Sequence, residues 1–375
     1  TLEEVVAIAE EIGYPVLVRP SYVLGGRAME IVYTTDQLVD YVARSAEVTE
    51  GHPILVDQFL EDAFEFDVDA LCDGTGVYIA GILQHIEEAG IHSGDSACVL
   101  PPYRITPAAL TTIREQTTAL ALELEVRGLL NIQFAYRDGI VYVLEANPRA
   151  SRTVPFVSKA RGLPLAKWAA QIALGKSLAD FPLPAETGAK VVAVKEAVLP
   201  FDKFPGEKVF LSPEMKSTGE AMGLAPSLGQ AFLKGLLGAG VRLPVAGTVF
   251  MSVNDHDKWK AVPLARDFLE LGFGLVSTTG TAALLRQNGM PVETVYKVGE
   301  GRPHVVDRIK NGDIALVVNT PMGSRSRADE AAIGRAAIRY RVPVFTTLSA
   351  AQAAVRALRS PKQISVKALQ DYFVD

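Results

Sequence analysis

The chain has 375 residues, 49% of them hydrophobic and 21% charged, with a net charge of −6. That size predicts two domains with room for a third, and the globular composition predicts order over most of the length. The acid excess argues against a nucleic-acid surface. Five histidines and two cysteines are too few for an ordinary His/Cys zinc cluster. Cys72 and Cys98 form no disulfide framework, so a reducing, cytoplasmic setting is expected. The longest uncharged run, residues 271–285, is about 15 residues, short of the roughly 18–20 a membrane span needs.

Residues 2–12 carry apolar side chains at helical spacing and begin on Thr1, as if cut from a longer chain. Gly13 is expected to cap this helix in the left-handed region. Strands are predicted at 16–18 and 31–33, around a loop holding Arg19, Gly25, Gly26 and Arg27, with a helix over 36–46 and a strand at 54–57. Glu65, Asp67 and Asp69 alternate with Phe64, Phe66, Val68 and Ala70, putting carboxylates on one face and apolar side chains on the other. A strand over 77–86 runs into a polar loop at 87–95, then a helix at 107–125. Strands at 131–136 and 140–144 form a hairpin across Arg137-Asp138-Gly139, and residues 164–174 are helical. The fold class of this part is α+β or an α/β hybrid.

Residues 181–240 are rich in glycine and proline and read as a linker with short elements. From 245 on, strands near 245–253, 273–276, 292–296, 314–318 and 343–346 alternate with helices. That is the pattern of a parallel α/β sheet covered on both faces. The predicted domains are 1–240 and 241–375, the second complete enough to fold alone.

Three constellations carry chemistry. Glu145-Ala146-Asn147-Pro148-Arg149 leaves a strand, with Gln133 on its partner and Arg152 just beyond. One carboxylate and two amides are too little charge for an all-protein magnesium cage but suit a magnesium shared with phosphates. A lone strand-end glutamate before an Asn-Pro turn is ordinarily structural. The ligands converge only if the hairpin loop has three residues; a two-residue loop would put Gln133 and Glu145 on opposite faces. The second constellation is the Arg19-to-Arg27 loop, whose glycines let backbone amides approach phosphate, although a Gly-Gly pair is more often a plain turn. The third is residues 87–95, where His92, Ser93 and Asp95 could contact a nucleotide or simply close a turn.

On these motifs the chain resembles the carbamoyl phosphate synthetase large subunit. Val18-Arg19-Pro20-Ser21-Tyr22-Val23-Leu24-Gly25-Gly26-Arg27, Gly90-Ile91-His92-Ser93-Gly94-Asp95-Ser96, Glu145-Ala146-Asn147-Pro148-Arg149-Ala150-Ser151-Arg152 and Pro213-Glu214-Met215-Lys216-Ser217-Thr218-Gly219-Glu220 match its second ATP-grasp module. The C-terminal part resembles its regulatory domain, which shares a Rossmann-like fold with methylglyoxal synthase. The resemblance implies phosphorylation of carbamate by ATP, in arginine and pyrimidine biosynthesis. It implies that Arg19, Gly25, Gly26, Gln58, Leu60, Glu65, Gly90, Ile91, His92, Ser93, Gln133 and Glu145 surround ATP, with Glu65 accepting from the ribose. Gln133, Glu145 and Asn147 would hold magnesium or manganese, with potassium a further candidate ion. Arg149 and Arg152 would stabilise the transferred group. A glutaminase small subunit and the large subunit's first half would be partners, and a homo-oligomer is a further candidate assembly.

In the regulatory domain the resemblance places a nucleoside monophosphate, UMP or IMP, on Ser252, Lys258, Thr278, Thr281, Lys297 and Asn319. Pro321 stands where some relatives carry threonine. Each threonine alone is more often a helix N-cap. An amine effector, ornithine, would fall on Glu87, Asp95, Glu196 and Thr346 at the domain junction. Methylglyoxal synthase chemistry itself is disfavoured, because Gly299-Glu300-Gly301-Arg302-Pro303-His304 has no carboxylate after Gly301. A biotin carboxylase or amino-acid ligase would share the Glu-x-Asn ending but not the 90–95 loop. The alternative from another class is a nucleotide-binding regulatory fragment without turnover.

Overall fold

The structure is a computed structural model; it describes residues 1–21, 28–49, 52–184, 191–201, 203, 211–320, 326–361 and 364–373, those at 46–49, 326–328 and 330 by their backbone alone. Gly25, Gly26, Arg27 and Pro321 lie outside the described residues.

Helix α1 (Leu2–Ile12) starts on a reciprocal cap between Thr1 and Glu4. Gly13 ends it at φ 87°, ψ 136°, not in the expected left-handed helical region. Strands β1 (Val16–Pro20), β2 (Glu30–Val32) and β3 (Ile54–Gln58) form a small antiparallel sheet in the order β2-β1-β3. Helices α1 and α2 (Thr35–Thr49) close its core of Val5, Ala9, Val16, Val18, Val32, Leu38 and Tyr41.

The central sheet has seven strands. They are β4 (Phe64–Asp73), β5 (Val77–His85), β6 (Cys98–Leu100), β7 (Arg127–Arg137), β8 (Ile140–Asn147), β9 (Val192–Val198) and β10 (Gly219–Ala225). Their order is β10-β9-β6-β5-β4-β7-β8, with every pairing antiparallel. On the apolar face of β4 and β7, Phe66, Val68, Ala70, Ile132 and Phe134 pack with Ile113 and Ala121 of α3 (Pro107–Glu123). Helices α4 (Val154–Arg161) and α5 (Leu165–Ala173) belong to a second cluster with Leu71, Leu83 and Trp168. Strands β9 and β10 occupy the stretch read as a linker. Their glycines and alanines suit a sheet with α6 (Leu228–Gly238) laid close upon it, and this hid the strands in the sequence.

The hairpin corrects one expectation and keeps its consequence. Arg137 pairs with Ile140, so the loop has two residues, Asp138 at φ 50° and Gly139 at φ 85°. Both are left-handed, as a tight hairpin turn requires. The register then shifts between Gln133 and Phe134. Phe134 faces Val143 but Gln133 faces Glu145, leaving Leu144 as a bulge. The bulge, not a longer loop, turns Gln133 and Glu145 to the same face. Gly139→Val should cost about 1–3 kcal/mol in urea unfolding, because valine resists positive φ. An unchanged midpoint would contradict the turn geometry.

The last sheet is parallel, in the order β13-β12-β11-β14-β15. Its strands are β11 (Thr248–Val253), β12 (Gly274–Ser277), β13 (Glu293–Thr294), β14 (Leu316–Thr320) and β15 (Val344–Phe345). Val249, Met251, Leu316 and Val318 face one layer, with α7 (Lys258–Glu270), α8 (Thr279–Gln287) and α11 (Leu348–Leu358). Phe250, Val276 and Val317 face the other, with α9 (Val305–Lys310) and α10 (Ser326–Arg339). Both faces are covered, as the alternation predicts. The first layer does not stop at the module's edge. Ile86, Val99, Val194, Phe232 and Leu236 belong to the same buried cluster. The expectation that residues 241–375 need no neighbour therefore conflicts with a core shared across the junction.

Candidate functional site

Antiparallel register builds a polar face from the three strands β4, β7 and β8. Asp67, Gln133 and Glu145 lie directly opposite one another, and Asp69, Asn131 and Asn147 form the next row. Opposed residues in antiparallel strands share a face, so these six side chains stand together. The face grades from buried to open. Asp67, Asp69 and Asn131 are buried, Gln133 and Asn147 are half-buried, and Glu145 is exposed.

The open end holds the expected metal ligands. Asn147 Nδ2 donates to Glu145 Oε1 at 2.8 Å, and Arg149 Nη2 donates to Asn147 Oδ1 at 3.1 Å. Gln133 Nε2 donates to Ser93 Oγ at 3.2 Å. One carboxylate and two amide oxygens are hard ligands that fit a magnesium sharing its remaining positions with water or phosphate.

Loop 87–96 closes over this face. His92 Nδ1 accepts from Gly94 N at 3.0 Å, and burial pushes the imidazole below its usual range despite nearby Asp95. A side chain at Gly94 would lie 3.1 Å from Arg152 Nη1, 3.2 Å from His92 Nδ1 and 3.2 Å from Met215 Sδ. The structure thus gathers His92, Ser93, Gln133 and Arg152, with Glu145 close enough to act on the charge of His92. Ile91 is half-buried in the same loop. Gly90 lies against Ile31 and Phe59, which joins the loop to the small sheet. Arg19, Gln58 and Leu60 belong to that sheet and its exit; Arg19 Nε meets Asp57 Oδ2 at 3.3 Å on the surface. Glu65 is directed inward. Its Oε1 accepts from Gly90 N at 3.3 Å and its Oε2 lies 3.2 Å from His85 Nδ1, so its expected ribose contact competes with two protein partners.

Sequence reasoning assigned no role to four residues that support this site: His85 and Lys195, which it did not single out, and Asp67 and Asp69, which it placed on one strand face without partners. His85 Nε2 is 2.9 Å from Asp67 Oδ2, both buried. Burial works against its charge, yet the Cys98 sulfur and the Asp67 and Glu65 carboxylates hold its pKa well above 6.5. Lys195 is buried and donates to Ser93 O at 3.2 Å and Ser96 O at 2.8 Å, tying the loop to β9. A Lys-Glu pair inside the apolar run Val192–Val198 was the available signal. Asp69 accepts from Ser151 Oγ at 2.7 Å, Thr153 Oγ1 at 2.6 Å and Asn131 Nδ2 at 3.0 Å. Burial raises its pKa to about 6 against these donors.

Of the expected amine ligands, two stand together. Burial raises Glu87 to about 7, although Glu87 Oε2 accepts from Ala97 N at 2.6 Å. Burial and the Glu87 charge raise Glu196 well above its usual range, and Glu196 Oε2 is buried with no hydrogen-bond partner. Asp95 is engaged elsewhere, accepting from Lys216 N at 2.8 Å and Ser217 N at 2.8 Å. Thr346 is half-buried after β15, and no described contact joins it to either glutamate.

The second gathering sits at the C-terminal ends of the parallel strands, where the strand order reverses between β11 and β14. Ser252 pairs with Asn319 in register, and its hydroxyl is 3.0 Å from Thr278 Oγ1. Thr281 Oγ1 accepts from Val253 N at 3.2 Å. Thr278 occupies the N-cap of α8 yet makes no side-chain cap bond, which departs from the plain-cap reading. Ser277 Oγ is buried without a partner. Lys258 pairs with Asp255 and would lie 3.6 Å from a side chain at Gly280, and Lys297 acts on Asp255 from a distance. A helix N-terminus with Lys258 beside it is suited to a phosphate.

Fold and site together define an ATP-grasp module followed by a Rossmann-like parallel α/β module. Residues 1–181 match the family model described as carbamoyl-phosphate synthase L chain, ATP binding domain, and residues 260–346 match that of the MGS-like domain. The carbamoyl phosphate synthase large chain of Nostoc sp. is 54% identical over 99% of this chain and 34% of its own length. The large chain of Archaeoglobus fulgidus is 54% identical over 99% of this chain and 35% of its own. The chain is homologous to carbamoyl phosphate synthase large chains and spans about a third of their length. Among solved structures, the biotin carboxylase domain of Hydrogenobacter thermophilus 2-oxoglutarate carboxylase aligns with a TM-score of 0.46 and 21% identity, over 54% of this chain and 46% of that one. No described helix is long and apolar enough to cross a membrane.

Proposed function

We propose that residues 1–240 bind MgATP and phosphorylate carbamate to carbamoyl phosphate, and that residues 241–375 bind a regulatory nucleoside monophosphate. The observation that carries the first part is the opposition of Gln133 to Glu145, with Asn147 one row on and Ser93, His92 and Arg152 at the same end. Gln133, Glu145 and Asn147 would hold the magnesium, which supplies charge neutralisation between the phosphates. Loop 87–96 covers the nucleotide and excludes water. Arg149 and Arg152 stand where negative charge grows on the transferred phosphoryl group. The carbamate oxygen bonds to the γ-phosphorus as the bond to the ADP oxygen breaks, so no protein nucleophile is required. The large-chain homology supports this substrate, and a glutaminase subunit with the rest of a large chain would supply the carbamate. The chain is assayed by ATP formation from carbamoyl phosphate and ADP. MgATP binding with no ATP formed would favour the non-catalytic reading.

Glu87 and Glu196 supply the chemistry for an amine effector. A buried carboxylate pair with one unpartnered oxygen favours a cation between them. For the nucleotide site, UMP or IMP should bind the full chain and uridine should not, because the phosphate supplies the recognition. Lys297→Ala should weaken UMP by about 1.5–3 kcal/mol if it meets the phosphate directly. Equal affinity for UMP and uridine in calorimetry would remove the phosphate site.

A further inference from the structure

Arg152 lies between two residues that are tied to one buried carboxylate. Ser151 Oγ donates to Asp69 Oδ1 at 2.7 Å, and Thr153 Oγ1 donates to Asp69 Oδ2 at 2.6 Å. Asn131 Nδ2 fixes the same carboxylate from the neighbouring strand at 3.0 Å. The arrangement displaces ordinary helix capping. Thr153 is the N-cap of α4 but makes no side-chain cap bond, because its hydroxyl serves Asp69. Ser151 Oγ instead accepts from Thr153 N and Val154 N, both at 3.2 Å. The segment carrying Arg152 is therefore fastened on each side to the centre of the sheet, while the Arg152 side chain is exposed and reaches Met215. An arginine that meets a phosphate must order its backbone as well as its side chain, and a backbone already pinned removes the first of these costs.

We propose that Asp69 is a positioning residue for Arg152, acting through Ser151 and Thr153 and making no contact with substrate itself. This rests on the reading of Arg152 as a phosphate-binding group. A double-mutant cycle on the full chain tests it, read by calorimetric titration of MgATP. Arg152→Ala should weaken binding about tenfold, as for loss of one charge-assisted contact. Asp69→Asn should weaken it by a similar factor alone, and by less than about twofold in the Arg152→Ala background. Losses that multiply would overturn the positioning role, since a residue supporting the fold in general has no reason to need Arg152. Thr153→Val removes one of the same bonds from the loop side and should show the same dependence on Arg152, which decides the matter if Asp69→Asn fails to fold. If Arg152→Ala binds MgATP like the parent, the phosphate reading of Arg152 falls, and trypsin then tests the positioning alone. In that case Asp69→Asn should speed cleavage after Arg149 and Arg152 at least about tenfold with other sites unchanged, because the fastened loop must open to be cut. Unchanged cleavage would overturn the proposal.

Discussion

His85→Ala is expected to destabilise the chain by about 3–5 kcal/mol at neutral pH, because it leaves the Asp67 carboxylate buried without its cation. The loss is large because His85 is the strongest of the partners that hold Asp67 ionised, ahead of the Lys195 charge and the Asn131 amide. The neighbours of Asp67 on the sheet are Asp69, itself a source of repulsion, and Gln133, which is committed to Ser93. The pH dependence follows from the same pair. The imidazole pKa is held well above 6.5 in the fold, so its contribution is complete below about 6.5 and disappears as pH rises through the folded value. Urea unfolding of the parent and variant checks both statements. A difference below about 1 kcal/mol at neutral pH would mean that the pair is not a charged one.

Glu87→Gln is expected to act in the opposite direction. With the carboxyl raised to about 7 by burial, ionised Glu87 costs the fold about 3 kcal/mol above that pH. Glutamine keeps an oxygen for the Ala97 amide and carries no charge toward Glu196. Below about pH 7 the native carboxyl takes up a proton, so the advantage of the variant should fall to about 1 kcal/mol near pH 5. A cationic amine seated between Glu87 and Glu196 should stabilise the parent in the same pH range and leave Glu87→Gln little changed. Thermal unfolding at the two pH values, with and without ornithine, reads all of this. A variant no more stable than the parent at high pH would mean that the pair is open to water.

The residue pattern carried much of this. Period-2 alternation at Glu65, Asp67 and Asp69 placed three carboxylates on one face, and the structure puts them opposite Ala135, Gln133 and Asn131. The parallel module was legible because buried strands separated by helices leave near-continuous apolar runs. The hairpin's bulge was not. Val143 and Leu144 are both apolar and exposed on an edge strand, so neither marks itself as the extra residue. Strands β9 and β10 were hidden because Val192–Val198 and Gly219–Ala225 owe their place to a sheet and a helix distant in sequence. Lys195 and Asp69 could be seen but not assigned, since their partners lie 99 and 82–84 positions away. The shared core at the junction depends on α6 meeting α11, a contact that no local pattern encodes.

The central claim is that Gln133, Glu145 and Asn147 form a magnesium–phosphate site on the polar face. Calorimetric titration of ATP into the full chain and into Glu145→Gln, each with and without magnesium, tests it most directly. Glu145 is the only carboxylate among the three, so the parent should bind ATP in a magnesium-dependent way. The variant should lose that dependence while unfolding at the same urea concentration, since the replaced side chain is exposed. Magnesium-dependent binding of equal strength in the two proteins would contradict the account.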